Sequence, residues 1–205
     1  MHDSGDNEIE REYWDKRQLV KKINLNSLYG AILNPGCRFF DMRIGQSVTL
    51  TGRCITKHMA SKVNEIVAGK YDHKGESVVY GDTDSVYFSA FKTLEKEINE
   101  GLIPWSKDDV VGLYDKISEE VNGTFKAFMT KAFHTPSTRG EVIAAGRELV
   151  ASKGLFITKK RYAVLYYDKE GERVDVAGKE GKMKAMGLDL KRSDTPVFVQ
   201  DFLSE

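Results

Sequence analysis

The sequence predicts an α+β fold: an antiparallel sheet with long helices on one side. Two helical-period segments open the chain, a β-rich hairpin follows them, and a second β-rich region lies beyond a third long helix. With 205 residues, 40% hydrophobic and 30% charged, the chain can build a core and does not read as disordered.

Residues 8–32 read as the first helix. Neither Gly nor Pro interrupts them before Gly30, and Ile9, Tyr13, Val20 and Ile23 recur at helical spacing. Asn34-Pro35-Gly36 stops that helix. A second is expected over 42–67, with Ile44, Val48, Ile55, Met59, Val63 and Ile66 as its apolar stripe. Two β-rich runs, 77–80 and 85–89, then flank Gly81-Asp82-Thr83-Asp84 as a hairpin. Residues 106–133 predict a long amphipathic helix, with Ser106 and Asp109 as a capping pair and Val110, Ile117, Val121, Phe125 and Phe128 inward. Strands are expected at 155–157, 162–167 and 173–176, and a last helix begins near Thr195-Pro196.

Composition excludes some functions. Thirty-one basic residues balance 31 acidic ones, which argues against a histone-like protein that binds nucleic acid by bulk charge. Cys37 and Cys54 supply neither a disulfide framework nor a zinc cluster. The start is acidic and polar and no apolar run approaches ~18 residues, so no signal peptide, membrane span or membrane partner is expected, and an intracellular location is. The balance hides a segregation. Residues 11–64 hold ten basic and three acidic side chains, residues 72–120 five and twelve, and residues 153–192 eleven and six. Such blocks arise from solvated helix faces, or from a surface that grips polyanions on either side of a carboxylate site.

Three clusters carry candidate chemistry. Asp82 and Asp84 are one residue apart, so strand alternation would aim both carboxylates the same way, where a hard divalent cation could bridge them. Gly and Asp are also ordinary turn residues. Lys22, Asn26 and Tyr29 or Gly30 share one helix face, offering a cation, an amide, a flat ring and a gap; a plain exposed face would look the same. Lys159-Lys160-Arg161-Tyr162 opens a strand with adjacent cations, which suits phosphate tracking or a charged edge that blocks strand pairing.

In order and spacing, the three clusters resemble the motifs of family B DNA polymerases. Lys22 with Asn26-Ser27-Leu28-Tyr29-Gly30 is similar to motif B, Tyr80-Gly81-Asp82-Thr83-Asp84-Ser85-Val86-Tyr87 to motif C, and Lys159-Lys160-Arg161-Tyr162 to the element that follows them. Residues 184–189 and Ser193-Asp194-Thr195-Pro196 resemble the end of the palm in T-even-type phage polymerases.

The resemblance implies nucleotidyl transfer from a dNTP to a primer 3′-hydroxyl on primer-template DNA, with two magnesium ions. Asp84 then falls at the metal-ligand position, with Asp82 supporting it and Glu148 as a palm carboxylate close to the metals. Lys22 takes the triphosphate, Asn26 lines the nucleotide pocket, and Tyr29 and Gly30 meet the nascent base pair. Lys159, Lys160 and Arg161 contact the minor groove and backbone of the DNA, with Tyr162 packed nearby. Residues 1–32 would be the end of the fingers, 33–198 the palm and 199–205 the start of a thumb.

The chain also departs from the family. No exonuclease and no aspartate-bearing motif A precede Lys22, and Asp109–Tyr114 lies after motif C in a helical pattern and is rejected as its equivalent. A fragment that is inactive alone is therefore expected, completed by a chain that brings the exonuclease, motif A and the rest of the fingers. A sliding clamp would dock on a carboxy terminus absent from these residues. The alternative from another class is a non-catalytic, DNA-binding palm relic or scaffold. A reverse-transcriptase palm would have adjacent aspartates at the tip, whereas Thr83 separates these two.

Overall fold

The computed structural model describes residues 4–176, 178–188 and 195–202, so the expectations at Asp189, Ser193, Asp194 and 203–205 lie outside the described residues. The fold is α+β, with antiparallel pairing throughout the described strands. The chain divides into two units, Met1–Cys54 and Ile55–Glu205.

The first unit holds α1 (Ser4–Ile32) and the first half of α2 (Met42–Ala68). Along α1, side chains one turn apart support one another: Glu12 pairs with Lys16 at 2.6 Å, and Arg17 donates to the Tyr13 hydroxyl while lying over the Trp14 ring. Ile9, Tyr13, Val20 and Ile23 are each more than half exposed. Asn34 accepts the Gly36 N–H and turns the chain at the expected stop. Asp41 then accepts the Arg43 N–H at 2.9 Å and opens α2. The hydrogen bond and charge of Arg43 hold the Asp41 carboxyl below its usual range. The two helices meet at Gly45, where the Tyr29 hydroxyl donates to the Gly45 carbonyl and a Cβ would collide with Leu33. Ile44 and Val48, expected in the apolar stripe, are about half exposed here.

In the second unit the remainder of that stripe is used. Val63 packs with Ile117, Val121 and Phe125 of α4 (Lys107–Phe133), flanked by Ile55, Met59 and Ile66. Ser106 and Asp109 form the expected capping box. Met129, not Phe128, completes the inward face of α4: Ile117, Val121, Phe125 and Met129 follow at four-residue steps, and Phe128 stands beside that ridge, stacked on His58 at 4.0 Å.

The predicted β regions form two sheets. β1 (Val78–Asp82) pairs with β2 (Ser85–Phe88), and a bulge falls between Val78 and Tyr80. α3 (Phe91–Asn99), α4 and the short α5 (Ser137–Gly140) separate this hairpin from a four-stranded sheet. There β4 (Arg161–Lys169) is central, pairing with β3 (Leu149–Thr158), β5 (Glu172–Arg173) and β6 (Lys182–Met186). The strand expected over 173–176 shortens to β5, after which the Val174 N–H still reaches the Tyr167 carbonyl. α6 (Val197–Phe202) follows Pro196 as expected.

Val110, Val150 and Tyr167 join α4 to this sheet, and Lys107 and Arg173 lie over the Tyr167 ring. Burial, ahead of the neighbouring Tyr114, pushes the Tyr167 phenol up to about 12. Folding therefore favours the neutral phenol: its contribution is complete below about pH 10 and is lost as pH rises toward the folded value. Thermal unfolding at about pH 9 and about pH 11 should show a smaller alkaline loss for Tyr167→Phe than for the unaltered chain. Equal losses would contradict this assignment.

Candidate functional site

The carboxylate tip is a two-residue turn. β1 runs through Asp82, which pairs with Ser85, so Gly81 and Asp82 belong to the strand while Thr83 and Asp84 make the turn. Strand alternation, the reason for expecting parallel carboxylates, therefore ends at Asp82. Thr83 has φ +50°, and the Asp84 N–H donates to the Asp82 carbonyl at 2.6 Å. A bond across one residue of positive φ marks the rarer, strained kind of γ-turn. For a β-branched L-residue the left-handed region costs about 1–2 kcal/mol, so contacts must hold it. The Thr83 side chain donates to an Asp82 carboxylate oxygen at 3.2 Å, the Ser85 hydroxyl to the Asp82 carbonyl at 3.2 Å, and Thr56 of α2 to the Thr83 carbonyl at 2.8 Å.

The loop entering this hairpin is fixed by one amide. Asn64, 1% exposed on α2, accepts the Ser77 N–H and donates to the carbonyls of Ala60 and Asp72. Gly75 passes so close that a Cβ there would collide with the Asn64 amide. One helix thus sets both the start of β1 and the tip beyond it.

Lys159 and Lys160 are themselves a hairpin turn, since Thr158 pairs with Arg161 across them. The strand that this cluster was expected to open begins at Arg161. Lys160 sits at φ +63°, its N–H donating to the Tyr80 hydroxyl at 2.7 Å. Arg161 donates to the Gly187 carbonyl at 3.0 Å, and a Cβ on Gly187 would strike the carbonyl oxygen of Lys160. Both lysines are exposed, while Tyr162 is buried.

Four rings join the two tips. Tyr80 lies 5.3 Å from Phe156 and 5.4 Å from Tyr162, and the Tyr87 hydroxyl donates to the Tyr162 hydroxyl at 3.2 Å. Burial, and then the Tyr162 hydroxyl, hold the Tyr87 phenol well above its ordinary range. This cluster couples the carboxylate hairpin to the basic one. Tyr80 precedes Asp82 by two residues and Tyr87 follows Asp84 by three, which places the two tyrosines opposite one another across the Thr83-Asp84 turn; nothing local marks Phe156.

Glu148 pairs with Lys184 of β6 at 2.6 Å. Nearby, the buried Asp168 carboxylate and Asp115 both accept from Arg147, whose side chain is 12% exposed. On α1, Lys22 and Asn26 are exposed and Gly30 borders open space, which leaves a clear stripe, while Tyr29 is half-buried and bonded toward Gly45.

By donor type, Asp82 and Asp84 suit a hard, oxygen-preferring cation such as magnesium. Among the described residues no three Asp, Glu, His or Cys side chains gather into a metal-binding group. No described helix is long and apolar enough to cross a membrane.

A family model described as DNA polymerase family B matches residues 1–132. The chain is 34% identical over 200 residues to the DNA-directed DNA polymerase of Escherichia phage RB69, covering 92% of this chain and 21% of that protein. It is 31% identical over 204 residues to the DNA-directed DNA polymerase of Enterobacteria phage T4, with the same two coverages, 92% and 21%. A DNA polymerase delta catalytic subunit from Oryza sativa subsp. japonica is 30% identical over 200 residues, 96% of this chain and 15% of that protein. The chain thus spans about a fifth of the length of its phage relatives.

Proposed function

The chain belongs to DNA polymerase family B, and from that premise we propose that it is the palm-bearing part of a DNA-directed DNA polymerase. One observation carries the reading: an exposed carboxylate turn and an exposed basic turn, tied by four rings and the Tyr80–Lys160 hydrogen bond. Carboxylates can hold cations for a reacting phosphate while nearby lysines hold the DNA that presents it.

In this reading the primer 3′-oxygen forms a bond to the α-phosphorus of a dNTP and pyrophosphate leaves. Two magnesium ions, when bound, supply charge stabilisation to the attacking and leaving oxygens. Asp84 is the principal carboxylate holding them, Asp82 its neighbour, and Glu148 a further carboxylate in the palm. Lys22 binds the triphosphate as a point charge, Asn26 lines the nucleotide pocket, and Tyr29 with Gly30 borders the nascent base pair. Lys159, Lys160 and Arg161 hold primer-template DNA, positioned by Tyr162. Residues 1–32 are assigned to the fingers, 33–198 to the palm and 199–205 to the start of a thumb. The exonuclease, the motif A aspartate and the rest of the fingers would be supplied by polypeptide outside residues 1–205.

Nucleotide binding by the reconstituted complex tests this. Fluorescent dNTP should bind with an affinity that depends on magnesium, and Lys22→Ala should weaken it about tenfold. DNA affinity that falls with salt, without magnesium-dependent dNTP binding, would instead identify a DNA-binding relic.

A further inference from the structure

The turn between Asp82 and Asp84 is built on a strained residue. Thr83 is β-branched, sits at φ +50° and is exposed, and its carbonyl oxygen accepts the Thr56 hydroxyl at 2.8 Å. Of the side-chain bonds described at the turn, those of Thr83 and Ser85 are local, whereas Thr56 reaches in from another element, 27 positions away in sequence. Its helix is fixed two turns further along, where Val63 enters the core against Ile117, Val121 and Phe125 and Asn64 clamps the loop before β1. The hydroxyl of Thr56 thus links a rigid core to the peptide between the two aspartates.

We propose that Thr56 is a positioning residue for the carboxylate tip, holding the Thr83 turn so that Asp84 is presented to a cation with Asp82 beside it as the supporting carboxylate. This rests on the reading of Asp84 as a metal ligand. Because Thr83 is exposed, water can replace the Thr56 bond, and the fold does not depend on it. The geometry of the turn does: without an outside anchor the Thr83 peptide is free to leave the left-handed region, and the Asp84 side chain swings with it.

The test uses the full chain, isotopically labelled, with Mn2+ as a paramagnetic probe followed by amide broadening. Thr56→Val removes the hydroxyl at nearly constant shape, and Thr56→Ser keeps it. In the unaltered chain Mn2+ should broaden the amides of residues 81–85, and Asp84→Asn should remove that broadening. Thr56→Ser should bind like the unaltered chain. Thr56→Val should weaken Mn2+ binding about threefold to tenfold, with the amide-to-α-proton coupling of Thr83 leaving its left-handed value and amides outside the tip unmoved. Unchanged Mn2+ affinity in Thr56→Val, beside clear broadening in the unaltered chain, would overturn the positioning role alone. No broadening at the tip of the unaltered chain would overturn the metal-ligand reading and the positioning role with it. General unfolding of Thr56→Val, seen as lost amide dispersion, would contradict the claim that the fold does not need this bond.

Discussion

Replacing Asp84 with alanine in a complex of this chain with a polymerase fragment bearing motif A should lower magnesium-dependent primer extension about 10³-fold or more. A carboxylate that holds a catalytic cation accounts for several kcal/mol of transition-state stabilisation, and each ~1.4 kcal/mol is about tenfold in rate. The alternative is that Asp84 only shapes the turn. Its N–H does hold the Asp82 carbonyl, at 2.6 Å, but that bond belongs to the backbone and survives the substitution. A structural role therefore predicts near-normal extension, and a ligand role predicts loss with an unchanged thermal midpoint. Asp82→Ala should cost less, since Asp82 is only the supporting carboxylate in this reading.

The largest effect on stability is expected at Arg147. Its guanidinium bridges Asp115 on α4 to Asp168 on β4, and Asp168 is 1% exposed, also accepting the Gly171 N–H at 3.2 Å. Arg147→Ala leaves a buried carboxylate without its cation, which costs about 3–5 kcal/mol. For a chain of this size that should lower the unfolding midpoint by roughly 10–15 °C. Replacing both partners of the buried pair, as in Arg147→Met with Asp168→Leu, should recover much of the loss, because the penalty comes from the stranded charge more than from the missing bond. Equal losses in the single and double variants would indicate a packing role for Arg147 instead.

Much of this architecture was legible where local chemistry decides it. Asn34-Pro35-Gly36 stops α1, and Ser106 with Asp109 starts α4, because caps and breakers act within a few residues. The hairpin around Asp82 was legible for the same reason. What failed was the assumption of strand geometry as far as Asp84: a two-residue turn takes Thr83 and Asp84 out of the ladder, and no propensity rule places a threonine at φ +50°. The sheet was less legible still. Lys182–Met186 pairs with the middle of β4, but its alternation of lysines with methionine and alanine carries no strong β signal. α3 is short and shows no buried residue, although Phe91, Leu94 and Ile98 recur along it at helical spacing.

The candidate site divides along the same line. Its charged residues could be named from sequence because their types and order are informative. Their supports could not: Thr56, Asn64 and Phe156 act through tertiary contacts, and Thr56 in mid-helix is read by default as bonding within its own helix.

Primer extension with magnesium tests the central claim most directly, measured for this chain alone, for a complementary fragment bearing motif A alone, and for the two mixed. Extension confined to the mixture is the result expected; extension by this chain alone, at a turnover of about 1 s⁻¹ or above as enzymes ordinarily show, would contradict the account.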